Sequence, residues 1–216
     1  MNAPKRRAVM LTAAGAGGAL LTSATAFAAA RGWRPGPRQV KVMLPTGQSN
    51  PAIATGVATG ESVALYASSG LGPDALNPAA PAGTPENWTD PSMTEGAEGV
   101  TVTEAQALVV LRKISDNLAV AGLAPADVLT MKCYLMKPPR AELADYAGWN
   151  RAYRQFYANV DLASGETVPA PMGTSAPKPP ILVNRARPAR ATMEVASLAV
   201  PGWLVEVEVT AAYHRK

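Results

Sequence analysis

The sequence predicts an α+β fold, a largely antiparallel or mixed sheet with two helices on one face, and three patterns carry that prediction. Val205, Val207 and Val209 alternate with Glu206 and Glu208, the period of a strand with one buried face. Ala107, Leu111, Ile114, Leu118 and Ala121 recur at spacings of four and three, the stripe of an amphipathic helix. Proline and glycine clusters separate such segments into the order strand, strand, helix, strand, helix, strand, strand, which groups the helices against one sheet.

Residues 1–30 read as a leader. Lys5, Arg6 and Arg7 form a basic start, residues 8–21 are an uncharged apolar run, and Ala26-Phe27-Ala28 supplies a small-x-small cleavage pattern, so cleavage is expected after Ala28 or Ala30. Paired arginines ahead of a Gly/Ala-rich run favour the twin-arginine route over the general secretory one. An uncleaved anchor is the alternative. The expected location is periplasmic or exported. Residues 31–39 form a Pro/Gly/Arg tether, and residues 40–216 read as one domain.

Within that domain Val40–Leu44 is a short alternating strand and Glu61–Ser68 a second, closed by Ser69-Gly70. From Leu71 to Val100, five prolines and four glycines exclude a regular element, and so long a stretch suggests a functional lid or mobile insertion. Thr101 or Thr103 caps the first helix, and Gly122 ends it. Ala124–Asp127 turns into the strand Val128–Met136, which Pro138 and Pro139 stop. A second helix is expected over residues 141–158, with Leu143, Tyr146, Ala147, Asn150, Tyr153 and Tyr157 on one side. A second proline-rich stretch, residues 168–180, precedes a final strand pair. The sheet face without helices is partly apolar, which favours a symmetric homo-oligomer over exposure.

Charge and composition exclude several classes of function. The leader carries three of the net four positive charges and no acid, so a mature chain is close to neutral and lacks a basic cluster for nucleic acid. Cys133, the only cysteine, reads as a small buried hydrophobe. The only histidine, His214, excludes a multi-histidine metal site and disfavours a histidine-based nucleophilic triad.

The candidate site lies in the last thirty residues, where Arg190 and the pair Glu206 and Glu208 are expected on two adjacent strands. A solvated acidic strand, or a structural ion pair of Arg190 with either glutamate, is the plain alternative. Trp149, Tyr153, Phe156 and Tyr157 read as core.

Several segments in this order and spacing resemble the RidA (YjgF) family of enamine/imine deaminases. They are Ala105-Gln106 to Gly122-Leu123, Asp127 to Leu135, Asn150-x-x-Tyr153-x-x-Phe156, Pro188-Ala-Arg190 to Val195, and Val205-Glu206-Val-Glu208. The resemblance implies a chorismate-mutase-like fold and a homotrimer whose sheets form a central barrel, with sites between subunits. It implies cofactor-free hydrolysis of 2-imino acids to 2-oxo acids and ammonia, with a small carboxylate-bearing substrate. By position it assigns Arg190 to the substrate carboxylate and Glu206 to the attacking water. Ser69, Gly70, Asn150 and Thr192 become substrate-binding residues. No metal, nucleic acid or, after leader cleavage, membrane partner is implied.

The chain departs from the family in four respects. Thr55-Gly-Val57 stands where an aromatic often closes over substrate, and Thr192 where a cysteine is frequent. The 71–100 and 161–187 loops are long. Export is unusual for a family that is mostly cytoplasmic, the alternative location. A non-catalytic carboxylate-binding module of the cell envelope is the competing function, and ribonuclease activity, reported for some relatives, is disfavoured by the near-neutral charge.

Overall fold

The computed structural model describes residues 34–213; the leader, most of the tether's start and His214 lie outside the described residues. Among the described residues six strands and two α-helices form an α+β fold: β1 (Val40–Met43), β2 (Gly56–Thr59), β3 (Leu65–Ala67), α1 (Val102–Val120), β4 (Val128–Leu135), α2 (Tyr146–Arg154), β5 (Ala189–Glu194) and β6 (Val205–Ala212). β1 and β2 make an antiparallel ribbon, and the main sheet has the order β3-β6-β4-β5. Only the β4–β5 pairing is parallel, so the sheet is mixed.

This order corrects one expectation that matters for the site. β5 and β6 are consecutive in sequence but not neighbours in space, because β4 is inserted between them. β4 has apolar residues at every second position, and Met131, Cys133 and Leu135 are buried, which makes it the natural centre of the sheet.

α1 forms where its stripe predicts. Thr101 Oγ1 accepts from the Glu104 N–H (3.1 Å), and Gly122 takes the left-handed conformation after the last turn (φ 74°). Leu108, Leu111, Ile114 and Leu118 are buried against Met131, Cys133, Val205, Val207 and Val209. α2 is shorter than expected, because Asp145 caps it by accepting from the Gly148 N–H (2.7 Å). Its Trp149, Tyr153 and neighbouring Phe156 and Tyr157 are core, as their spacing indicates. The second strand is also shorter than expected, and β2 is an addition that its flanking Gly56 and Gly60 disguise.

The two long loops are tied to the rest of the domain by specific contacts. The 71–100 segment contains two 3-10 turns, Pro85–Trp88 and Pro91–Thr94. Fully buried Gln106 on α1 donates to Pro85 O and Gly202 O (2.8 Å each) and accepts from the Leu204 N–H (2.7 Å). Trp88 meets Trp203 edge-on at 5.8 Å and donates to Pro201 O. The second loop is fixed to the first, with the Thr174 N–H donating to Glu98 O (2.8 Å) and Glu98 N–H to Ser175 Oγ (2.8 Å). Buried Glu104 on α1 joins the second loop to both helices, accepting from Arg151 Nη2 (2.6 Å) and from the Gly173 N–H (2.9 Å). Among the described residues no helix is long and apolar enough to cross a membrane.

Candidate active site

The sheet register assigns each candidate residue to a face. Arg190 pairs with Met131 and Thr192 with Cys133, so both side chains leave β5 on the helix-covered face. Glu206 pairs with Tyr134 and Glu208 with Lys132, the positions of β4 that point the other way. Arg190 and Glu206 of one chain therefore stand on opposite faces of the sheet. An Arg190–glutamate ion pair within the chain is excluded by the same register.

On the helix face, Arg190 lies on a platform built by α2. Its Cζ is 4.3 Å from the Tyr153 ring centroid and 5.8 Å from that of Trp149, and Tyr153 stacks in turn on Tyr157 at 5.4 Å. Arg190 Nη2 donates to Oδ1 of Asn150 (2.6 Å), an exposed residue one turn into the same helix. Its Nη1 is screened from solvent and has no hydrogen-bond partner, and so is Thr192 Oγ1, two residues along the same strand face. Buried polar atoms of this kind are uncommon and costly, about 1–3 kcal/mol each, unless something fills them. Three of the sequence candidates thus come together: Asn150, Arg190 and Thr192.

The electrostatics of this cluster follow from burial. Desolvation lowers the Arg190 guanidinium, and the interactions that oppose it come from Tyr153 and Cys133. Burial likewise pushes the Tyr153 phenol up to about 12, although Arg190, Arg154 and Arg187 each pull it down. Burial pushes the Cys133 thiol far up, against a smaller pull from Arg190, so it is a packed thiol and not a nucleophile.

On the open face, Glu206 backs onto Gly70. A Cβ on residue 70 would lie 2.2 Å from Glu206 Oε1, so only glycine allows this approach. The Leu71–Val207 bridge holds the two segments in place, and Ser69 beside them is exposed. Glu206 makes no hydrogen bond or ion pair among the described residues. Glu208 differs, since Lys132 Nζ (3.3 Å) and the Tyr134 hydroxyl (3.2 Å) both donate to it. Both glutamates line a groove of about 280 Å³ with Tyr134, Val195, Ser197 and Leu198. The remaining sequence candidates, Ser69, Gly70 and Glu206, form this second group.

A larger cleft of about 460 Å³ opens beside β1, lined by Val42, Leu44, Val183, Arg185 and Arg187 among others. It contains neither Arg190 nor Glu206. Arg187 is committed there, donating to Pro51 O (2.6 Å), Arg185 O (2.6 Å), Val160 O (2.8 Å) and Asn50 Oδ1, and so it ties the chain before β2 to the segment before β5. Sequence reading missed this buried arginine and the role of Trp149 and Tyr153 as a platform. Their aromatic spacing marked them as core, and nothing in one dimension places a cation above them.

The profile of the family described as Endoribonuclease L-PSP matches residues 90–213, more than half of the chain and the part that holds Asn150, Arg190, Thr192 and Glu206. The chain belongs to this family, the RidA (YjgF) family. Solved structures similar to it include a YjgF-family protein from Neisseria meningitidis, with 22% identity, 83% of this chain and 99% of that chain covered, and a TM-score of 0.41. A Rid-family protein from Yersinia pestis is 18% identical over 81% of this chain and 98% of its own, with a TM-score of 0.43. Escherichia coli TdcF, solved with bound serine, is 20% identical over 81% of this chain and 100% of its own, with a TM-score of 0.40. No curated protein matches the chain.

Proposed function

We propose that this RidA-family protein is a cofactor-independent hydrolase that converts reactive 2-imino and enamine acids into 2-oxo acids and ammonia. The observation that carries this reading is the split between an unfilled arginine fork and an uncommitted carboxylate. Arg190 has a buried, unpartnered Nη1 suited to a substrate carboxylate, because guanidinium and carboxylate pair through two parallel hydrogen bonds. Glu206 keeps both oxygens available beside Gly70.

Since the two lie on opposite faces of one sheet, a working site needs Arg190 from one copy and Glu206 from another. Cyclic association through the open faces meets that need, and a homotrimer is the form we infer. Exposed Met193 on that face supports burial there.

With the carboxylate held by Arg190, the imine carbon faces Glu206. Glu206 orients a water molecule and accepts its proton as the oxygen attacks carbon, and the electrons of the C=N bond move to nitrogen. Glu206 passes that proton to nitrogen and then takes the hydroxyl proton of the resulting carbinolamine as the C–N bond breaks. The nitrogen, having received the proton from Glu206, leaves as ammonia and the 2-oxo acid remains. An iminium is electrophilic already, so positioning and one base suffice. The two carboxylates of the groove disfavour a polyanionic RNA substrate, against the activity in the family's description. The leader pattern supports an exported site of action.

The test is ammonia and 2-oxo acid release from 2-imino acids generated by an amino-acid oxidase. Wild-type protein is expected to accelerate release. Arg190→Ala and Glu206→Gln are each expected to lower kcat/KM by at least ~100-fold. Equal rates for all three proteins contradict the proposal.

A further inference from the structure

The cleft of about 460 Å³ beside β1 has no part in the proposed reaction. Its volume falls within the range of about 300–1,000 Å³ typical of small-molecule sites. Part of its wall is apolar and open. Val42 and Leu44, two residues apart and so turned the same way where β1 ends, are 47% and 37% exposed, and Val183 of the second loop is 58% exposed. Apolar surface left open around one concavity is surface that an apolar ligand can take out of water.

The polar lining comes from the residues that follow Val183. Asn184 is only 4% exposed. Its backbone N–H donates to Asn159 Oδ1 (2.7 Å) and its own Oδ1 accepts from the Ala186 N–H (2.8 Å), which fixes which end of the amide is which. Nδ2 is left as a buried donor without an acceptor. Such donors are uncommon in folded proteins, and this one lies in the lining of a cleft.

Charge supplies the third observation. Arg185 is exposed, donates once to Leu162 O (2.8 Å) and makes no ion pair among the described residues. Arg187 is buried, and its four acceptors, three backbone carbonyls and the Asn50 amide, are all neutral. No acid lines the cleft. Arg154 and Arg185 add to the positive field at Arg187, and Asp161, whose carboxylate accepts from the Ala163 and Ser164 N–H groups outside the lining, is the one carboxylate acting on it. Two guanidiniums against one peripheral carboxylate leave the cleft with one positive charge in excess.

We infer that this cleft is a second binding site, for a monocarboxylate that carries an apolar tail. The carboxylate accepts from the Arg185 fork and from Asn184 Nδ2, and the tail covers Val42, Leu44 and Val183. One negative charge matches the excess of one. The inference does not rest on the deaminase reading, since neither Arg190 nor Glu206 lines the cleft.

The experiment is calorimetric titration with octanoate, butyrate and 1-octanol of wild type, Arg185→Met, Val183→Ser and Arg190→Ala. Wild type is expected to bind octanoate, with affinity falling about fourfold for each methylene removed toward butyrate. Octanol, which lacks the charge, is expected to bind at least ~10-fold more weakly, the scale of one charge-assisted hydrogen bond. Arg185→Met is expected to weaken octanoate by a similar factor and to leave octanol unchanged, which also shows that the fold is intact. Val183→Ser is expected to weaken octanoate and not butyrate.

Arg190→Ala separates the two sites. Unchanged octanoate affinity in this variant supports a site of its own beside β1. Loss of binding in Arg190→Ala but not in Arg185→Met places the carboxylate at the proposed catalytic site and overturns the inference. So does octanoate that binds no tighter than octanol, or that does not bind at all.

Discussion

At the scale of single residues, the site depends on what glycine and aromatic side chains leave room for. Gly70 does not need a left-handed backbone; its value is the missing Cβ, which lets the Glu206 carboxylate lie against the main chain. In Gly70→Ala the new methyl must displace the far end of a flexible side chain, so the fold is retained and the carboxylate moves. We expect kcat/KM to fall by about 100-fold, since displacement of a reacting group by about 1 Å costs that much, with a thermal midpoint little changed. Activity within a few-fold of wild type would show that Glu206 does not need this position. Arg190, Glu206, Asn150 and Thr192 were legible as candidates because their spacing follows the family pattern. The Tyr153 platform was not, because it depends on how α2 is rotated against β5.

At the scale of elements, periodicity predicted what it directly encodes. α1 was legible from cap to terminal glycine, and β6 from its alternation. The insertion of β4 between β5 and β6 was not legible, since strand order is decided by which strand is apolar enough for the centre, and adjacency in sequence pointed the other way. The loop contacts were illegible for a related reason. Their prolines and glycines exclude regular structure but do not reveal the long-range partners, Gln106, Trp203 and Glu104, that anchor them. Glu104 is fully buried and Arg151 about a quarter exposed, so removing the cation strands a carboxylate in the core. Arg151→Met is expected to destabilise the protein by about 2–3 kcal/mol, the lower end for a broken buried pair because Arg151 is partly solvated. Denaturant unfolding measures this, and Glu104→Gln in the same chain should restore part of the loss. A single variant within error of wild type would mean that the loops are held independently of this pair.

At the scale of the whole molecule, the proposed reaction leaves one chain with two incomplete half-sites. The helix face offers Arg190, Asn150 and Thr192 without a base, and the open face offers Glu206, Gly70 and Ser69 without a carboxylate clamp. Sequence alone could rank these residues but not separate them, because the division arises from the pleat of a sheet whose order was unknown. It also gives the proposed trimer a chemical reason: association completes the chemistry as well as covering a partly apolar face.

The most direct measurement is activity after co-refolding equal amounts of Arg190→Ala and Glu206→Gln, each expected to keep at most about a hundredth of wild-type activity alone. With sites shared between copies, random mixing in a cyclic oligomer pairs an intact Arg190 with an intact Glu206 in about a quarter of the sites, and about a quarter of wild-type activity should return. No recovery, with mixed oligomers demonstrated by mass, would contradict a site built from two chains.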